Sequence, residues 1–194
     1  MKEIIPLEYG KYYHIYNRGI NSDILFKDSE NYSFFMNLYD KHINPIAETY
    51  AWCLMKNHFH FCVRIKEKAE IENAITKEPS QYFSNLFNAY TKSYNKRYHR
   101  HGPLFERPFR RKSIESNAYL QNLIVYIHRN PVHHRICSHP IEYPWSSYLT
   151  CVSDRPTKLN RTEVLDLFEG LENFRYVNEI GNFDINEFFL GDDT

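Results

Sequence analysis

Met55-Lys-Asn-His-Phe-His-Phe-Cys-Val-Arg64 alternates in character. In an extended strand, successive side chains point to opposite faces, so His58, His60 and Cys62 share one face while Phe59, Phe61, Val63 and Ile65 share the other. The apolar face needs a core to cover it. On the other face, two neutral imidazoles can share a divalent ion if a third ligand arrives from elsewhere. A His-x-His pair alone is common on half-buried strands, so the rest of a site has to be sought in another segment. Cys62 reads as a small buried hydrophobe rather than a thiolate ligand.

The stretches on either side of this strand set the fold class. Residues 12–19 read as a strand, followed by a turn at Gly19, Asn21 and Ser22. Residues 28–43 open on a capping Asp28 or Ser29, carry Tyr32, Phe35, Met36, Leu38 and Tyr39 at helical spacing, and stop before Pro45. Residues 46–55 and 58–66 form a hairpin around Lys56-Asn57. Ser80 caps a helix to about Tyr98 with Phe83, Leu86, Phe87, Tyr90 and Tyr94 on one face, and residues 104–114 alternate as a fourth strand. Strand, helix, strand, strand, helix, strand is the ferredoxin-like βαββαβ plan of an α+β fold, an antiparallel sheet with helices on one face. Helices laid over Phe59 and Phe61 leave the histidine face open.

A third segment, Asn117-Ala-Tyr-Leu-Gln-Asn-Leu-Ile-Val-Tyr-Ile-His-Arg-Asn130-Pro131, reads as an added helix with an apolar stripe of Leu120, Leu123, Ile124 and Ile127. Tyr126 lies off that stripe. At about 100° per residue, Asn130 falls one turn onward on the Tyr126 face, and Tyr119 and Asn122 continue it backwards. Pro131 disfavours helical geometry for the residue before it, so the helix is expected to end near Asn130 and leave the amide at an exposed last turn. Tyr119 shares that face with Tyr126, but only Tyr126 has the amide one turn on. His128 falls on a different face, and His14 on the first strand is expected to be buried.

His-x-His with Tyr-x-x-x-Asn resembles the HUH nucleases with a single catalytic tyrosine, and among them most closely the REP-associated tyrosine transposases. The resemblance runs from about Tyr12 to Tyr148. It rests on Tyr13-His-Ile-Tyr-Asn-Arg-Gly19, Met55-Lys-Asn-His-Phe-His60, the basic Gly102-Pro-Leu-Phe-Glu-Arg-Pro-Phe-Arg110, Tyr126-Ile-His-Arg-Asn-Pro-Val132 and Pro140-Ile-Glu-Tyr-Pro-Trp-Ser-Ser147. Relatives bound to insertion sequences usually carry Gln four residues after the tyrosine, and Asn130 here is similar to the REP-associated branch. That branch tends to run Val-Arg-Ala after the proline, whereas His133 and His134 follow Val132 in this chain.

The resemblance implies metal-assisted cleavage and strand transfer on single-stranded DNA at hairpin-forming repeats. Tyr126 is then the catalytic nucleophile, and His58, His60 and Asn130 hold Mg²⁺ or Mn²⁺, with zinc also admitted by the ligand types. The products are a 5′-phosphotyrosyl enzyme and a free 3′-hydroxyl, so one residue can both cut and rejoin. The phenol has a pKa near 10, and the sequence names no clear base for its proton. Two further readings stand beside this one: a transposase-derived regulator that grips hairpin nucleic acid without cutting, and a small-molecule metalloenzyme using His-x-His, which the helical segments fit poorly.

At 194 residues the chain suits one domain, read as a transposase-like unit over 1–150 with an acidic extension over 151–194. The formal net charge of zero hides a division: residues 160–194 hold nine acidic and two basic side chains, a net of −7, which leaves +7 for residues 1–159. Lys92, Lys96, Arg97, Arg100, Arg107, Arg110, Arg111 and Lys112 are interleaved with aromatic residues, and with Arg18 they are the expected DNA contacts. The acidic tail is expected to be partly helical, either as a solvated extension or folded over the basic face as a mimic of DNA. No apolar run approaches the roughly 20 residues that cross a bilayer, and no secretory leader is evident. Cys53, Cys62, Cys137 and Cys151 lack Cys-x-x-Cys spacing and are too few for a secreted disulfide framework, so a reducing, cytoplasmic setting is expected. A monomer or homodimer is expected.

Overall fold

In the computed structural model, which describes residues 5–72 and 77–180, β3 (His58–Ile65) lies between β1 (Tyr12–Arg18) and β2 (Ala47–Leu54), and β4 (Arg110–Ile114) pairs with the far side of β1. The sheet order β2-β3-β1-β4 is antiparallel throughout, the ferredoxin-like arrangement. Register extends the histidine face across the sheet. Arg18 lies opposite His58, Tyr16 opposite His60, Arg110 opposite Tyr16 and Lys112 opposite His14. Directly opposed residues share a face, so Tyr12, His14, Tyr16 and Arg18 of β1 and Arg110 and Lys112 of β4 join the histidines.

The other face is closed by α1 (Ser29–His42) and α2 (Pro79–Arg97), whose Phe35, Tyr39, Phe83, Leu86 and Tyr90 form one core with Ile15, Phe59, Phe61 and Val63. Asp28 caps α1 by accepting the Asn31 N–H. Two boundaries depart from expectation. Glu78 is the N-cap of α2 and Pro79 takes the first helical position, whose N–H has no intrahelical partner anyway, so Ser80 sits within the first turn. The fourth strand is shorter than 104–114: Pro108 has no N–H for a ladder, and upstream of Arg110 the segment makes an isolated bridge from Phe105 to Gly19.

A second core forms on the histidine face. There α3 (Asn117–His133) crosses β2 and β3, and it is joined by α4 (Tyr148–Cys151), α5 (Arg161–Leu167) and α6 (Leu171–Ile180). Leu123, Ile124, Val125 and Ile127 share this core with Tyr148, Val164, Phe168 and Phe174. Because α3 is covered by the sheet and by the later helices, Val125, Tyr126 and His128 are buried as fully as the apolar stripe. A break at residue 150 is therefore not a break in packing, since residues 151–180 complete the second core. The described part of the acidic tail packs against α3, where the Arg129 guanidinium donates to the Asn178 and Glu179 carbonyls. Residues 181–194 lie outside the described residues. No helix among the described residues is long and apolar enough to cross a membrane.

Candidate active site

Ser116 caps α3 by accepting the Tyr119 N–H, and the helix then carries both Tyr126 and Asn130 onto the histidine pair. The Asn130 Oδ1 lies 3.1 Å from His58 Nε2. The Tyr126 ring stands edge-on to His60 with centroids 5.4 Å apart, 6.3 Å from His14 and 6.0 Å from His133. The groups from two distant segments thus meet. One expectation fails: α3 does not end at Asn130, and that residue is 1% exposed. Pro131 removes the N–H that would reach the Ile127 carbonyl. The turn survives because the His134 N–H donates to the Asn130 carbonyl and the Ile136 N–H to the Pro131 carbonyl, with Arg135 in the left-handed region. Burial of Pro131 offsets the missing bond.

Proton counting at His58 is informative. Its Nδ1 lies 2.8 Å from Asn57 Oδ1 and its Nε2 3.1 Å from Asn130 Oδ1, so both ring nitrogens face oxygens. Burial lowers its pKa to about 4, against a smaller opposing effect of the Asn130 contact, so near pH 7 the ring is neutral and has one N–H. One of the two contacts therefore needs either an amide turned to donate its N–H or a cation shared by the two acceptors. With Nδ1–H donating to Asn57, the bare Nε2 faces the Asn130 oxygen as two ligands of one cation do. At His60 the Nδ1 is 2.9 Å from His14 Nε2, and the Nε2 is buried with no hydrogen-bond partner among the described residues.

An unsatisfied buried polar atom costs about 1–3 kcal/mol, and a cation would satisfy the His60 Nε2. The residues fit a divalent ion held by His58 Nε2, His60 Nε2 and Asn130 Oδ1, with Asn57 and His14 fixing the two rings from behind. No group of three or more His, Cys, Asp or Glu side chains among the described residues is placed to hold a metal, so a site here would need the Asn130 amide oxygen as its third ligand.

The same burial makes the metal-free fold acid-sensitive. Desolvation lowers the pKa of His14 and His128 to about 3, that of His133 to about 4, and that of His60 well below its ordinary value. In the unfolded chain these rings titrate near 6.5, so the folded-state pKa values are depressed and the unfolded state binds more protons below that pH. Their contribution is fully present above pH 6.5 and is lost as pH falls toward 4. Each such histidine adds up to about 1.4 kcal/mol per pH unit to the slope. Urea midpoints of the chain in chelator should therefore drop steeply between pH 7 and pH 5. A flat profile would show that these rings are not held neutral.

The expected DNA contacts divide by face. Arg18, Arg110 and Lys112 lie on the histidine face, where Glu106 pairs with Arg18 Nε at 2.6 Å and Arg110 Nη2 at 3.2 Å, and Lys112 lies 4.8 Å over the Tyr119 ring. Since α3 crosses β2 and β3, the β1–β4 half presents Tyr12, Tyr16, Arg18, Arg110 and Lys112 as half-exposed side chains, the mixture that suits an unpaired strand. The others belong to the helix layer. Arg97 pairs with Asp28 and Glu30 and Arg100 with Asp23, bracing α1 and its approach. Lys92 and Lys96 are exposed on α2, while Arg107 and Arg111 border the α2 side of β4.

His14 is buried as expected, yet it also positions His60. His134, whose ring is 5.0 Å from His58, and Asn57 are site residues that the sequence did not single out. Only the β1–β3 register reveals the role of His14. His128 faces away from the site and bonds to Ser147.

Residues 9–130 match the family described as "Transposase IS200 like". A solved structure described as "Structure of the REP associates tyrosine transposase bound to a REP hairpin" aligns with a TM-score of 0.64 and 16% identity, covering 80% of this chain and 89% of that one, a likeness of fold. No curated protein matches this chain.

Proposed function

The chain belongs to the IS200-like transposase family, and on that premise we propose that it cuts and rejoins single-stranded DNA at hairpin-forming repeats, as a member of the REP-associated branch, with Tyr126 as nucleophile. The observation that carries this reading is the meeting of His58, His60, Asn130 and Tyr126 on one sheet face. The Tyr126 oxygen attacks phosphorus, the bond to the 3′-oxygen breaks, and the products are a 5′-phosphotyrosine and a free 3′-hydroxyl. The ester keeps the phosphodiester bond energy, so attack by another 3′-hydroxyl reverses the step. Mg²⁺ or Mn²⁺, when bound by His58, His60 and Asn130, supplies polarisation of a nonbridging phosphate oxygen.

Asn57 and His14 keep the two imidazoles in register, and the strip of Tyr12, Tyr16, Arg18, Arg110 and Lys112 carries the strand toward them. Tyr126 is 1% exposed, so the side chains over it have to shift before a phosphate reaches the phenol. The test is a hairpin oligonucleotide with a labelled single-stranded flank, incubated with the chain and Mn²⁺. The expected result is one fragment with a free 3′-hydroxyl and a second that stays with the protein in denaturant, both lost in chelator. Tight binding without any cleavage would instead mark a non-cutting hairpin binder.

A further inference from the structure

Arg111 is the basic residue of β4 that turns away from the histidine face, since it lies opposite Ile15 of the first core. Its guanidinium lies 3.9 Å over the Phe109 ring, and its Nε is buried with no hydrogen-bond partner among the described residues. No carboxylate pairs with it among the described residues, and desolvation depresses its pKa. The exposed Arg107 nearby donates to the Asn88 amide oxygen at 3.4 Å. The neighbouring carboxylate, Glu106, holds Arg18 and Arg110.

The two guanidiniums border a cleft of about 590 Å³ between α2 and the segment 104–111, to which α2 contributes Gln81, Ser84 and Asn88. That volume suits a small ligand such as a nucleotide. A guanidinium taken half out of water without a counter-charge is costly, and an anion is what would neutralise it. The plane of Arg111, backed by Phe109, is also a platform of the kind on which unpaired bases stack.

In this cleft we propose a second DNA contact that seats an unpaired nucleotide, its phosphate between Arg107 and Arg111. The strand reaches it from the Tyr126 side by passing over the outer edge of β4, where Arg110 and Lys112 face one way and Arg111 the other. Charge on an edge strand also discourages pairing with other chains. That role asks for solvated side chains, whereas Arg111 is packed on Phe109.

This inference rests on DNA being the ligand. The test uses the full chain and fluorescent hairpin DNA with and without a single-stranded flank, titrated by anisotropy across a range of salt. The Arg107→Gln/Arg111→Gln chain should bind the flanked hairpin about ten-fold more weakly or worse. Its log K against log salt should be less steep by about 0.7 for each phosphate that the variant no longer neutralises. The bare hairpin should bind as it does to the native chain. Equal affinity and slope for the flanked hairpin overturn the second contact alone, while a native chain that binds no hairpin DNA overturns the reading of function as well. If the double variant does not fold, Arg107→Gln must lower the slope by itself, and an unchanged slope there also overturns the proposal.

Discussion

His60→Leu is expected to reduce DNA cleavage by at least about 10³-fold, a loss of roughly 4 kcal/mol of transition-state stabilisation. The variant removes one of the two imidazole nitrogens available to the ion and leaves His14 Nε2 without its partner at 2.9 Å. The orphaned His14 nitrogen costs the fold about 1–3 kcal/mol, less what is regained by removing the unpartnered His60 Nε2. Pairing it with His14→Leu separates the two effects. Replacing both members of a buried polar pair by apolar groups is close to neutral, so the double variant should recover its thermal midpoint and remain inactive. If these rings merely filled the interior, stability and activity would recover together in cleavage assays with Mn²⁺.

The second large effect lies far from the chemistry. Phe174 is fully buried in α6 against Tyr148, His128 and Phe168. Phe174→Ala should cost about 3–5 kcal/mol, the usual range for deleting a buried aromatic side chain. Domains of this size are stable by about 5–15 kcal/mol, so the loss takes a large share of the total. A chain ended near Lys158 lacks Val164, Phe168 and Phe174 and should not hold α3 in place, whereas one ended after Ile180 keeps them all. Urea denaturation of the three chains checks this order. A stable, cooperative 1–158 chain would show that the second core does not depend on the later helices.

The contrast between the two halves shows what the residues alone disclosed. Alternation along His58–Ile65 separated the faces because a strand repeats every two residues, and the order of six elements then identified the ferredoxin-like core. Spacing along α3 placed Asn130 one turn beyond Tyr126. It misplaced the helix end, because burial of Pro131 and two later backbone hydrogen bonds outweighed a local preference. Periodicity also suggested a one-sided helix, since it cannot see that α6 covers the back of α3. The basic run from Lys92 to Lys112 passes through helix, loop and strand, so its charges point to several faces although they are neighbours in sequence. His14 needed strand register, a long-range fact, before its bond to His60 could be known.

The most direct measurement is to let the chain react with a single-stranded substrate and Mn²⁺, digest it, and locate the attached nucleotide by fragmenting the peptide that carries both Tyr119 and Tyr126. The account predicts a phosphodiester-linked nucleotide on Tyr126, with none formed by Tyr126→Phe. Attachment at Tyr119, or no attachment by a native chain that binds and retains the same DNA, would contradict it.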